Sequence, residues 1–295
     1  MEGDPTVQRL EARGAALVGK ERGLFVPSGT MGNQLALFTH TERGDEVICG
    51  RPCHIQEHEV GAAAVISGVS LVPVDAPWGE LPLERVVGAV RDPDIHHPRT
   101  GLICLEAAHG SGAVPSLDNL KAVSEVARAK GIPVHLDGAR IFNAALALGV
   151  EAQTIAEVAD SVMFCLSKGL GAPVGSLLCG GSEFIERARK GRKLLGGGMR
   201  QVGVLGAAGL YALEHNLDRL EDDHRRAEAL SARLAAIDQV EVLSAGRDIN
   251  MVWFKLKGGA LKDGEASKVV AALRERGVVI YPPLMGAFRV VCHLD

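Results

Sequence analysis

SVMFCLSKGLGAPVG, residues Ser161–Gly175, passes from an apolar run into a glycine-rich turn within a few residues. Val162–Leu166 has no polar alternation, which is the signature of a strand covered on both faces. It delivers one lysine, Lys168, and Gly169 and Gly171 follow at once. Glycine backbones can turn sharply there and leave room beside the amine. An amine at the rim of an apolar interior is disfavoured in its charged form, so its pKa is expected to fall. Such a lysine is a nucleophile for carbonyl groups, most often through a Schiff base. A surface lysine in an ordinary turn would read the same way, and the rest of the chain has to discriminate.

Outward from this stretch, short β-type runs alternate with helical patterns. The runs predict strands at Gly23–Val26, Glu46–Cys49, Leu71–Val74, Gly101–Leu105, Pro133–Leu136, Ser161–Phe164 and Gly175–Cys179. Between them, helices are expected at Met31–His40, Ile55–Ser67, Leu117–Lys130, Ile141–Leu148 and Glu183–Lys193. The fold class is therefore α/β, a mostly parallel sheet sandwiched by helices. Such sheets gather ligands at the carboxyl ends of their strands. From Asn216 the pattern changes. A charged helix, Leu217–Ala236, precedes strands Val240–Leu243 and Asn250–Lys255, a helix Glu265–Arg276, and strands Val278–Tyr281 and Phe288–Cys292. This divides the chain into a large domain, 1–215, and a smaller α+β domain, 216–295.

The 295 residues are 47% apolar and 23% charged, a globular composition with room for both cores. A net charge of −4 without a basic run argues against nucleic acid or an anionic membrane as the main partner. No apolar segment reaches the length of a membrane span, and the N-terminus lacks signal-peptide character. Six cysteines (Cys49, Cys53, Cys104, Cys165, Cys179 and Cys292) lie in apolar runs without CxxC spacing. They read as small core residues in a reducing cytoplasm.

Several segments put polar groups where strand ends are expected. Val26-Pro27-Ser28-Gly29-Thr30-Met31-Gly32-Asn33 joins a strand to a helix, and small residues at a helix N-terminus suit a phosphate. An ordinary Ser28 cap is the alternative. In His135-Leu136-Asp137-Gly138-Ala139-Arg140, Asp137 could pair with a protonated pyridine nitrogen and Arg140 with a carboxylate. An Asp137–Arg140 ion pair at a helix start would use the same residues. His109, after Leu105-Glu106-Ala107-Ala108, could move a proton or could be structural. His54, Glu57 and His58 match the H-x-x-E-H spacing of inverted zinc peptidases, although no third ligand follows at a characteristic distance. Alternatively, His54 alone stacks on an aromatic cofactor. Gly196-Gly197-Gly198-Met199-Arg200 could hold an anion, lie at a subunit interface or be a flexible connection.

Together these pieces resemble the low-specificity L-threonine aldolases, pyridoxal-phosphate (PLP) enzymes of the aspartate-aminotransferase fold in the beta-eliminating lyase family. The specific blocks are VPSGTMGNQ (26–34), HLDGARIFNA (135–144), SVMFCLSKGLGAPVGS (161–176) and LGGGMRQ (195–201), and the likeness extends from Gly3 to the end of the chain. The resemblance implies Lys168 as the Schiff-base lysine and Asp137 as the partner of the pyridinium nitrogen. Gly29 and Thr30 would hold the phosphate, and His54 would stack on the ring. His109 would lie near the substrate's β-hydroxyl, Arg140 and Arg289 would bind its carboxylate, and Arg200 would reach a neighbouring active site in a homotetramer.

The resemblance departs at Glu106-Ala107-Ala108-His109-Gly110, where the family usually has Glu-Asn-Thr-His-Asn. It also implies a strand before Met1 and a helix after Asp295. The activity it implies is retro-aldol cleavage of threonine or a related β-hydroxy-α-amino acid to glycine and an aldehyde, without a metal. The rivals are another PLP lyase or an aminotransferase, a shortened non-catalytic form, and a zinc hydrolase built on His54, Glu57 and His58.

Overall fold

The apolar runs pair as their alternation requires. The structure, a computed structural model, describes residues 3–244, 246, 248–257, 265–284 and 286–294. Among these, β1 (Arg22–Val26), β2 (Glu46–Arg51), β3 (Ser70–Asp75), β4 (Thr100–Glu106), β5 (Val134–Asp137), β6 (Ser161–Cys165) and β7 (Ser176–Gly180) form one sheet. Its order is β1-β7-β6-β5-β4-β2-β3. Strands β2 to β6 are parallel to one another. Strand β7 runs antiparallel to both neighbours, so β1 points the same way as β6. The carboxyl ends of β1 to β6 therefore share one edge of the sheet.

Helices cover both faces. They are α1 (Pro5–Leu17), α2 (Gly29–His40), α3 (His54–Glu57), α4 (Leu83–Ala89), α5 (Leu117–Ala129), α6 (Ile141–Leu148), α7 (Ala152–Ala156), α8 (Ser182–Leu194) and α9 (Gly203–His215). Along β6, Val162 and Phe164 enter a core with Leu10 of α1, Leu120 of α5, Ile141 of α6 and Leu210 of α9. Met163 and Cys165 enter the opposite core with Leu35 of α2 and Ile185 of α8. That is why the run is apolar at every position. Each fully buried large side chain contributes about 1.5–3 kcal/mol. Helix starts follow local chemistry: Asp4 accepts from the amides of Thr6 and Val7 with Pro5 in the first turn, and Ser116 caps α5 through Asn119.

A second, antiparallel sheet has the order β10-β9-β8, from β8 (Val240–Leu243), β9 (Met251–Leu256) and β10 (Phe288–Val291). It packs with α10 (Leu220–Ala235), and α11 (Glu265–Glu275) lies between β9 and β10 in the chain. Val240, Phe254 and Phe288 form its core, with the two rings stacked at 5.2 Å. Among the described residues, no helix is long and apolar enough to cross a membrane.

Two expected elements differ. The helix expected over Ile55–Ser67 is broken: α3 stops at Glu57, Val60 and Gly61 adopt positive φ, and Ala63–Ser67 forms a single π turn. The break turns Glu59 inward, where it is 1% exposed and hydrogen-bonded. The expected strand Val278–Tyr281 is not formed, and all but half-buried Ile280 are exposed. Pro282 and Pro283 follow directly, and without amide hydrogens they cannot extend a ladder. Four helices were not among those expected from the sequence: α1, α4, α7 and α9. In α9, Gly206 and Gly209 let the backbone approach Val7 and Leu10 of α1, so packing outweighs glycine's low helix propensity.

Candidate active site

The site is assembled from the turns that leave the shared edge. After β1, Ser28 caps α2 by accepting from the amide of Met31 at 3.1 Å. The first amides of this helix, those of Gly29 and Thr30, lack intrahelical acceptors and carry the positive end of its dipole. After β2 comes His54, and its amide donates to Glu106 Oε1 at the end of β4 at 2.7 Å. Strand β5 ends at Asp137, Arg140 follows, and β6 leads into the turn with half-buried Lys168. Glu106 and Asp137 are register partners, so the two carboxyls stand side by side.

Beneath them lies a buried polar network. Asn33, fully buried in α2, donates through Nδ2 to Asp137 Oδ2 at 2.7 Å and to Glu59 Oε1 at 2.9 Å. Asn33 Oδ1 faces His135 Nε2 at 3.1 Å. An amide oxygen only accepts, so Nε2 carries the proton and His135 Nδ1 accepts from Ser161 Oγ at 2.9 Å. Ser161 Oγ in turn accepts from His40 Nε2 at 2.8 Å. Burial pushes His135 down to about 3 and His40 down to about 4, which keeps both rings neutral. Glu59 also accepts from Gln34 Nε2 and pairs with His54 Nδ1 at 2.7 Å. That last hydrogen bond raises the His54 pKa above its ordinary value. Burial, with the charge of Asp137, pushes Glu106 up to about 8, so it stands beside Asp137 as a neutral acid at pH 7.

The sequence-predicted residues fall in four settings. Lys168, His54, Asp137, Gly29, Thr30 and Arg140 lie at or just past strand ends on the same edge. Arg289, on β10, comes from the second sheet and is close enough to Arg140 for its charge, added to burial, to lower the Arg140 pKa. It also lies 5.7 Å from the Trp253 ring centre. His109 is buried with both ring nitrogens engaged, Nε2 by Pro52 O at 3.1 Å and Nδ1 by Ser111 Oγ at 2.7 Å. Burial lowers its pKa, so the ring is neutral and donates to Pro52. Arg200 is exposed, in the turn before α9.

The zinc spacing does not form a ligand set. Glu57 and His58 are exposed, and His54 Nδ1 is bonded to Glu59. A different group, His54, Glu59 and Asp137, brings its ligand atoms within 4.8 Å of one another. Asn33 is already the shared donor to its two carboxylates, which an ion between them would have to displace. Glu59, Asn33, Gln34 and His135 were not singled out from the sequence. Asn33 and Gln34 are polar positions directly before the apolar run Leu35–Phe38 of α2, and that is their signal; Glu59 is marked by nothing local.

The chain belongs to the beta-eliminating lyase family, whose model matches residues 1–257. Over 98% of its length it is 43% identical to low-specificity L-threonine aldolase 1 of Arabidopsis thaliana, covering 82% of that protein. The low specificity L-threonine aldolase of Escherichia coli K12 is 41% identical over 99% of this chain and 85% of its own. The fold is shared with a putative L-allo-threonine aldolase from Listeria monocytogenes, at a TM-score of 0.83 and 22% identity over 98% of this chain and 80% of that one.

Proposed function

We propose that this chain is a PLP-dependent aldehyde-lyase that cleaves L-threonine, L-allo-threonine and related β-hydroxy-α-amino acids to glycine and an aldehyde. The observation that carries the reading is the convergence of an amine, a buried carboxylate and a helix N-terminus at one sheet edge, with Arg140 near enough to Arg289 to feel its charge. The relatives named threonine aldolases support it further.

The donor set fits the cofactor. The phosphate would lie at the N-terminus of α2 beside Gly29 and Thr30, where orphan amides and the helix dipole favour an anion. Among the described residues Asp137 accepts from Asn33 and from the Ala139 amide, so its carboxylate keeps acceptor capacity for a ring N–H. Lys168 would hold the aldehyde carbon, and the His54 ring would stack on the pyridine. Bound there, PLP would supply an electron sink for the pair released when Cα–Cβ breaks.

The chain's own residues do the rest. Arg140 and Arg289 repel each other until an anion lies between them, which suits a substrate carboxylate. Gripped there, the substrate presents its Cα–Cβ bond in one orientation. Asp137 holds a proton on the ring nitrogen, and neutral Glu106 stands beside it without adding a second charge. Of the two histidines, His54 is the better base, because Glu59 orients its ring as carboxylates orient catalytic imidazoles. It takes the β-hydroxyl proton directly or through a water. His109, donating to Pro52 beside the β2–α3 turn, forms the wall next to that hydroxyl.

The test is absorbance with added PLP together with aldehyde release from threonine and allo-threonine. The expected outcome is a yellow protein that releases acetaldehyde, and loss of turnover in Lys168→Ala. Turnover persisting in that variant overturns the reading. Pyruvate or a keto acid as product would point to another PLP lyase or an aminotransferase, and inhibition by chelators to a hydrolase. We also propose the division at 215/216 and a cytoplasmic homotetramer in which Arg200 serves a neighbour's site. Exposed Leu194, Val204 and Tyr211, flanking Arg200 in the chain, and six free cysteines support that assembly and location. Light scattering that reports a monomer would sink the assembly.

A further inference from the structure

The turn that carries Lys168 is held from outside the large sheet. Three successive carbonyls each accept a side-chain donor from beyond residue 215. His293 Nε2 donates to Lys168 O at 2.7 Å, Arg219 Nη1 to Gly169 O at 3.1 Å and Asn216 Nδ2 to Leu170 O at 2.7 Å. Arg219 is itself fixed by Asp223 at 2.6 Å, whose side chain is fully buried. The turn also fits closely: a Cβ on Gly169 would come within 2.9 Å of Leu220 Cδ2, and Gly171 has φ +74°. The turn closes on itself through the amide of Gly171, which donates to Lys168 O at 2.8 Å.

We propose that His293, Asn216 and Arg219 are positioning residues for Lys168, setting the approach of its amine through the backbone of its own turn. The inference rests on the reading of Lys168 as the reactive amine. Contacts that merely docked residues 216–294 onto the sheet would have no reason to fall on three consecutive carbonyls of this one turn. The same segment also carries a candidate substrate-binding residue. Arg289, assigned to the substrate carboxylate, lies on β10, and His293 follows four residues later. A carboxylate bound at Arg289 and the backbone of Lys168 are thereby tied to the same segment.

The experiment uses the full chain freed of cofactor, exposed to PLP and quenched with borohydride at intervals. Mass spectrometry then reads the fraction of Lys168 labelled, with exposed Lys193 as an internal reference. In His293→Leu the labelling of Lys168 is expected to slow about tenfold, roughly the worth of one lost hydrogen bond, while Lys193 labels at the native rate. His293→Gln, which keeps a donor, is expected to restore most of the native rate. If His293→Leu does not fold, Asn216→Asp decides by the same reading, since it replaces a donor with an acceptor at nearly constant shape. Equal labelling rates in native and donor-less protein overturn the proposal, as does a Gln variant as slow as the Leu variant. No labelling of Lys168 in the native chain overturns the functional reading itself, and this assignment with it.

Discussion

At the scale of single residues, His54 and Glu59 show how a local environment sets a proton affinity. Glu59 is wholly buried, and its strongest effect on His54 is the hydrogen bond to Nδ1 that raises the imidazole pKa. Glu59→Gln removes the carboxylate and keeps the shape. We predict that NMR titration then finds His54 deprotonating at lower pH than in the native chain. If His54 is the base, the rising limb of the aldehyde-release profile should move in the same direction. An unchanged His54 titration would show that Glu59 does not set it. His54 was visible in the sequence, yet its partner was not. The pairing depends on the turn at Val60 and Gly61, and although Gly61 permits a turn there, the sequence does not say which side chain that turn directs inward.

Among the elements, β6 was the most legible because burial on both faces leaves a continuous apolar run. Phe164 is fully buried, packing edge-on against Phe142 with ring centres 5.2 Å apart. Phe164→Ala is expected to cost about 3–5 kcal/mol, read as a lower urea midpoint; a change below about 1 kcal/mol would contradict the packing described. Helix α9 was illegible for the opposite reason. Its glycines argue against a helix locally, and only the close approach of α1 makes them useful. Likewise, Val278–Tyr281 has strand-like composition but meets Pro282 and Pro283, and composition alone does not weigh a following proline against a run of β-branched residues.

For the whole molecule, the buried relay from Asp137 to His40 links folding to pH. The folded pKa values of His40 and His135 are depressed, to about 4 and about 3. Between those values and the ordinary histidine value near 6.5, the unfolded chain binds more protons than the folded one. Their stabilising contribution is therefore complete above about pH 6.5 and is lost as pH falls through about 4 for His40 and about 3 for His135. For His40 alone the loss is about 3 kcal/mol. Denaturant midpoints measured from pH 7 to pH 4 should fall steeply, and His135→Asn should flatten part of that slope. A midpoint independent of pH across this window would contradict the relay.

What the sequence by itself determined was the local grammar. Two-sided apolar strands, glycine turns and helix caps placed Lys168, Asp137, Arg140 and Ser28–Thr30 at element ends, because these signals are short-range and written in neighbouring residues. Only the tertiary structure decided which ends meet. The reversed strand β7 brings β1 into line with β6, so that the turn at Ser28 joins the edge that carries Lys168. Asn33 reaches Asp137 across 104 residues and His293 reaches Lys168 across 125. Such contacts depend on burial and direction in three dimensions, and a hydrogen bond between distant residues leaves no periodicity along the chain.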